Sequence, residues 1–475
     1  MTLTIARKEL IGMLRDARFR ICCVVVLLLL GAALLTGFVS RRAYEQQRAN
    51  AVKAERHAWV NQGEANPHSA AHFGRYAFKP LLAASLLDKG LNSYLGQAVY
   101  IEGHVQNPFR HRPAEDSTGL LQFGEMTGAA VLQYLLPLVI LLLTFNAFAG
   151  EREQGTLRQL LSLGVPPAKL LAGKAIGIVT ALAALLLPAA VLGAFLMQQA
   201  TAGDASQSAL RLAVMTGAYL LYLLAFTSLS LGVSASAATS RMALLVLLGF
   251  WVSSSLLVPR AAASLAESFY PTPILPEFLK EVNEDMEKGI DGHKPPGEKE
   301  EELKQTLLKK YNVKSEKDLP INLTGLILQE SEEHGNLVFD KHFRQLRDAY
   351  GKQYGVLQAA SLVSPLLAVR SFSMGLAGTD LWHHHNFADA AEAYRRKWVK
   401  RLNDDMTNNS RTGDFSYKVG RTFWEATEDF KYTPPGVGEA LRTQTGSLLL
   451  LAGWLLGSIL FAAWAVRRMS AIEEA

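Results

Sequence analysis

Six apolar blocks, each about as long as a lipid bilayer is thick, govern what this chain can become. A helix needs about 20 mostly apolar residues to cross roughly 30 Å of hydrocarbon at 1.5 Å per residue. Blocks of that kind run over 21–39, 130–149, 175–197, 209–233, 242–258 and 446–466. The pattern predicts an α-helical integral membrane protein with six transmembrane helices at those positions. A seventh apolar stretch, 361–376, carries Pro365 and Arg370. An arginine at the bilayer centre costs at least about 2.5–3.5 kcal/mol, so this stretch reads as buried or interfacial.

Charge sets the orientation and removes other classes. The segments 1–20, 150–174, 234–241 and 467–475 together hold 12 Lys/Arg against 6 Asp/Glu, and the short loop 198–208 holds no Lys or Arg. Basic flanks stay inside, which places both termini in the cytoplasm and the segments 40–129 and 259–445 in the periplasm. A net charge of +5 without any Lys/Arg-rich run gives no face for nucleic acid. Cys22 and Cys23 are adjacent inside an apolar block and cannot staple a secreted domain. That first block lacks a small-residue cleavage site and reads as a retained span, not a signal peptide. Residues 1–20 separate Ile5, Leu10, Ile11 and Leu14 from Arg7, Lys8, Arg15 and Arg18, as an amphipathic helix lying on membrane lipid does.

The large second outer segment reads as mainly helical. Phe339, Phe343, Leu346, Tyr350, Tyr354 and Leu357 form one stripe at helical spacing; Phe387, Ala391, Tyr394, Trp398, Leu402 and Met406 form another. The two stripes are expected to bury one another. Pro259 and the prolines at 271, 273 and 276 argue against a helix running unbroken from the fifth span into the outer domain. The stretch 94–101 reads as a short strand or turn. Gly453 and Gly457 form a small-residue notch, expected to pack against this chain's own helices.

No nucleotide or hydrolase signature is present. Gly173-Lys174 is followed by Ala175, so there is no P-loop, and neither H-E-x-x-H nor G-x-S-x-G occurs. His383, His384 and His385 are weak metal candidates, because side chains of consecutive residues diverge; no metal is expected. The richest motif follows the second span: Glu151-Arg152-Glu153-Gln154-Gly155-Thr156-Leu157-Arg158, then Leu160, Leu161, Gly164 and Pro166-Pro167. A short charged helix stopped by Gly and Pro between two spans is a docking surface. Its glutamates would pair with basic groups on a partner, its leucines would fill an apolar groove there, and Gly155 would allow close approach.

The N-terminal Ile5-Ala6-Arg7-Lys8-Glu9-Leu10, the six spans and Glu151-Arg152-Glu153-x-Gly155-Thr156-Leu157 together resemble the permease subunit of ABC-2 type transporters. Pro67-His68-Ser69-Ala70-Ala71-His72 and Leu376-Ala377-Gly378-Thr379-Asp380-Leu381 are similar to a bacterial subfamily with large outer inserts of unknown function. The resemblance implies an ABC-2 type permease architecture in the bacterial inner membrane. It implies ATPase subunits that bring ATP and Mg, a second permease subunit (the same chain or another), and no cofactor in this chain. Glu151, Arg152, Glu153, Gly155, Thr156, Leu157, Leu160 and Leu161 then form the coupling segment. The chain departs from the family in placing 259–445 where a small outer loop is usual. Substrate movement by a transporter, most simply export, is the leading function. A mechanotransmitter that moves periplasmic domains without solute passage is the alternative, and a membrane enzyme with a periplasmic site comes last.

Overall fold

The structure, a computed structural model, describes residues 1–115, 125–200, 205–289, 296–414 and 416–469. The expected loop 198–208 and tail 467–475 lie partly outside the described residues. Helix α1 (Thr2–Arg15) ends at Asp16, whose extended backbone turns the chain and whose carboxylate accepts the Arg18 amide, capping the first span, Ala17–Val60. Helix α2 (Pro67–Phe73) and the strands β1 (Arg75–Phe78) and β2 (Ala98–Ile101) follow; the strands pair antiparallel with Arg75 opposite Ile101. The second span is Gly128–Glu153, then come α3 (Thr156–Ser162) and the third, fourth and fifth spans, Pro167–Ala200, Ala205–Ser236 and Ser240–Phe269. The helices α4 (Leu275–Lys288), Pro296–Tyr311, α5 (Leu323–Ala360), α6 (Pro365–Ala377) and α7 (Leu381–Asn409) precede the sixth span, Thr445–Arg467.

The six spans alternate in direction. At one end Lys8 meets Glu151, Glu9 meets Lys174, and Glu153 meets Ser240. At the other, Arg211 donates to the Leu376 and Pro435 carbonyls, and Gln444 donates to Asp380. Lipid offers the backbone no hydrogen bonds, so breaks in a span need internal partners. The second span breaks at 145–148. Ser234 Oγ accepts from the Phe148 and Ala149 amides at 3.0 and 3.2 Å and donates to the Phe145 carbonyl at 2.7 Å. One serine of the fourth span thereby repairs the second. Helix α6 has only 13 residues and is buried along Leu366, Val369, Phe372 and Leu376, against the fourth and sixth spans. At about 20 Å it is too short to cross, and Arg370 lies on its exposed side.

Three expectations are corrected. The fifth helix passes through Pro259 and ends at Phe269, so Pro259 does not break it while the prolines at 271, 273 and 276 follow its end as expected. A π-helical turn at Ser253–Leu257 shifts the hydrogen-bond register just ahead of the proline, which then sits where a missing amide disturbs little. The aromatic stripes also do not bury one another. Phe387, Ala391, Trp398 and Leu402 pack with Trp59, Ala71, Ala77, Ile101 and Trp424, uniting the two polar segments in one core. Phe339 and Phe343 instead pack on Phe278, Val282 and Met286, on and around α4. Between α5 and α7 runs a row of charges, Glu332 to Arg395, Asp340 to Arg396 and Asp389 to Arg347, beside close packing of Gly325 on Thr407. Finally, a methyl group added at Gly453 or Gly457 would meet nothing within 4 Å. The notch opens outward, while the close crossing is elsewhere: at Gly173 and Gly177 an added Cβ would lie 2.6 Å from Ile5 Cβ and 2.8 Å from the Ala6 carbonyl. Those two glycines let α1 seat on the third span.

The first span is 44 residues long, about 66 Å at 1.5 Å per residue. That is about twice the hydrocarbon thickness, and the surplus carries Trp59 into the polar domain's core.

Candidate coupling site

The motif after the second span folds as two short pieces. Ala149–Glu153 continues the second span, and α3 starts after Gly155, which adopts φ +74° to turn the chain. A left-handed turn of this kind favours glycine. Thr156 Oγ1 donates to the Glu151 carbonyl at 3.1 Å across the turn.

The charged triplet is partnered within the chain, with Glu151 and Arg152 half-buried and Glu153 exposed. Glu151 lies 3.0 Å from Lys8 and 3.0 Å from Lys174. Lys174, 2% exposed near the start of the third span, also lies 3.0 Å from Glu9 on α1. A lysine so deep needs counter-charges and hydrogen bonds, since an unpaired buried ammonium is costly. Arg152 donates to the carbonyls of Ala235, at 2.8 Å, and Ala237, where the fourth span ends. Glu153 accepts from the Ser240 amide at 3.0 Å and from its hydroxyl at 2.6 Å, at the first residue of the fifth span. A carboxylate there also complements the helix dipole. Three consecutive side chains thus tie the end of the second span to α1 and to the third, fourth and fifth spans.

Glu151 and Glu153, assigned to a partner's basic groups, have partners within the chain. Leu157 is buried in the apolar core of the helix bundle, and Leu160 and Leu161 are half-buried against it. The outward face of the segment consists of Glu153, Gln154, Gly155, Arg158, Gln159, Ser162, Leu163 and Gly164, with Leu163 80% exposed. Sequence reasoning missed Lys174 as an internal partner, although a lysine opening an apolar block invites a search for a carboxylate. It had no means of seeing Ser240 or the Ala235 and Ala237 carbonyls, which meet the motif only in the fold.

The histidine triplet does not converge. His383 Nδ1 bonds to Asp380 at 2.6 Å beneath the sixth span. His384 packs at a tilt against Phe109, and burial pushes its pKa down to about 3, leaving a neutral ring. His385 lies nearer Tyr350. These are packing residues at the N-terminal turn of α7.

Six long apolar helices, a first helix seated on the third of them and a braced turn between the second and third spans define a multi-pass membrane protein. The model of the ABC-2 family transporter proteins matches residues 3–313, and a domain of unknown function, DUF3526, matches residues 277–433. The chain belongs to the ABC-2 family of transporter membrane proteins, a family that associates with ABC ATPase subunits. No curated protein sequence matches it.

Proposed function

We propose that this chain is the permease subunit of an ATP-driven transporter in a bacterial inner membrane, with both termini in the cytoplasm, and that it exports its substrate. ATP and Mg are held by separate ATPase subunits, and a second permease subunit completes the complex. The observation that carries this reading is the brace at 151–153. A push on α3 reaches α1 and the second, third, fourth and fifth spans through charge-assisted contacts, without a nucleotide site in this chain. The ATPase seats on the exposed edge of Gln154, Arg158, Gln159, Ser162 and Leu163. Glu151, Arg152 and Glu153 transmit its motion inward; Gly155 forms the hinge, Thr156 staples it, and Leu157, Leu160 and Leu161 anchor α3 to the bundle.

The test is the double substitution Leu163→Asp, Arg158→Glu in the whole complex. Membrane insertion and thermal stability should match wild type, while co-purification of the ATPase falls sharply. Unchanged association would refute the docking edge.

The mechanotransmitter reading has its own support in the continuous first and fifth helices, which carry span motion directly into the polar domain. Reconstituted vesicles separate the two. ATP-dependent accumulation of a solute favours transport; hydrolysis that alters only the domain's protease or label accessibility favours mechanotransmission.

A further inference from the structure

We infer that the polar domain carries a binding site for one divalent transition-metal ion of the Zn2+ class, formed by His68, His72 and His104. His68 and His72 stand four residues apart on α2, so their rings share one helix face. Their Nε2 atoms are 3.1 Å apart. Tetrahedral ligands on zinc, with Zn–N near 2.0–2.1 Å, are separated by about 3.3 Å, so this pair already has the spacing of two nitrogens on one ion. The third imidazole arrives from the loop after β2. The three rings sit 4.7, 5.3 and 5.2 Å from one another, and their candidate ligand atoms all lie within 4.8 Å. Closing 4.8 to about 3.3 Å needs at most about 1.5 Å of side-chain movement. Among the described residues no other group of His, Cys, Asp or Glu converges in this way.

What lies behind His104 separates a ligand site from a chance stack. His104 has φ +67°, a conformation uncommon outside glycine. Glu332 on α5, 4% exposed, fixes it twice: one carboxylate oxygen accepts the His104 amide at 2.6 Å and lies 2.8 Å from Nδ1. The other oxygen takes Arg395 of α7 at 3.0 Å, and Glu392 holds Arg395 at 2.8 Å. A carboxylate on Nδ1 selects the tautomer that leaves Nε2 free for an ion, the arrangement that orients metal-bound histidines generally. Three neutral imidazoles suit Zn2+ and its neighbours Co2+, Ni2+ and Cu2+, not Mg2+ or Ca2+. The set leaves a fourth position open on an accessible face, where His72 is exposed. An exchangeable ion therefore fits better than a sealed structural one. It joins α2 and the loop bearing His104, both in the first polar segment, to α5 and α7 in the second. The site stands whether or not the chain transports a solute.

The test uses the full chain, purified without a histidine tag, stripped with chelator and titrated with Zn2+ and Co2+. Wild type should take up one ion per chain, and Co2+ should show the intense visible bands of a four- or five-coordinate centre. His72→Gln should weaken Zn2+ binding at least about tenfold, and His68→Gln, His72→Gln together should abolish stoichiometric uptake. Glu332→Gln, a positioning change, should weaken it about 10- to 100-fold and shift the Co2+ bands. His57→Gln and His111→Gln, at other exposed positions, should change neither. Absence of stoichiometric uptake by wild type overturns the site, as does equal uptake by wild type and the double variant. Because His72 is exposed, its variant decides the matter even if the Glu332 variant does not fold.

Discussion

Replacing Glu151 should unsettle the bundle before it affects any partner. The four charges of Lys8, Glu9, Glu151 and Lys174 sum to zero, and Glu151→Gln leaves one net positive charge with Lys174 only 2% exposed. Removing one partner of a buried pair costs roughly 3–5 kcal/mol. Three features reduce that here. Lys174 keeps Glu9 at 3.0 Å; Lys8, 67% exposed, returns to water; and Glu151 Oε2 is already buried without a hydrogen-bond partner. A loss of roughly 2–3 kcal/mol is therefore expected for Glu151→Gln, and more for Glu151→Lys, which gathers three cations around one carboxylate. The measurement is reversible unfolding of the purified chain in mixed micelles, followed by tryptophan fluorescence. Glu151→Leu combined with Lys174→Met should recover most of the loss, because a packed apolar pair replaces an ion pair at little cost. Unfolding of Glu151→Gln at the wild-type midpoint, together with lost ATPase binding, would refute the reasoning and return Glu151 to the partner's surface.

Gly177→Leu should displace α1 from the third span, since even a Cβ there meets the Ala6 carbonyl at 2.8 Å; increased protease cleavage within residues 2–15 of the inserted protein would show it. Trp398→Ala should cost roughly 3–5 kcal/mol in denaturant unfolding, because Trp398 is 2% exposed in the core shared by both polar segments. Phe343→Ala should cost less, as Phe343 is only half-buried. Lys79 is buried, bonded to Asn92 at 2.9 Å, and desolvation pushes its pKa down to about 8 against the pull of Asp380. The folded state thus disfavours the charged form, a penalty present in full below about pH 8 that fades as pH rises toward the unfolded pKa near 10.4. The advantage in melting temperature of Lys79→Met over wild type should therefore shrink between pH 7 and pH 10; a pH-independent difference would contradict it.

Membrane class and span number were legible in the sequence because hydrophobic length is a local property: any stretch apolar enough to cross shows itself without knowledge of its neighbours. The segment 151–161 stood out in the sequence too, as an unusually charged turn between two spans. The direction its side chains face did not. Glu151, Arg152 and Glu153 find Lys174, the Ala235 and Ala237 carbonyls and Ser240 only once the spans pack, and no spacing in the chain encodes those meetings. The two aromatic stripes show the same limit. Periodicity revealed that each had a buried face, but Trp398 turns toward Trp59 and Phe343 toward Phe278, a choice made by the strands and helices that fill the space between. Pro259 misled because its effect depends on a π-helical turn that sequence does not announce. His68 and His72 carried a readable signal in their spacing of four; His104 and the Glu332 that orients it come from 32 and 260 residues further along, beyond His72. Local polarity therefore determined which elements form and which can enter lipid, and tertiary packing alone decided which charges and imidazoles meet, because each contact joins residues far apart in the chain.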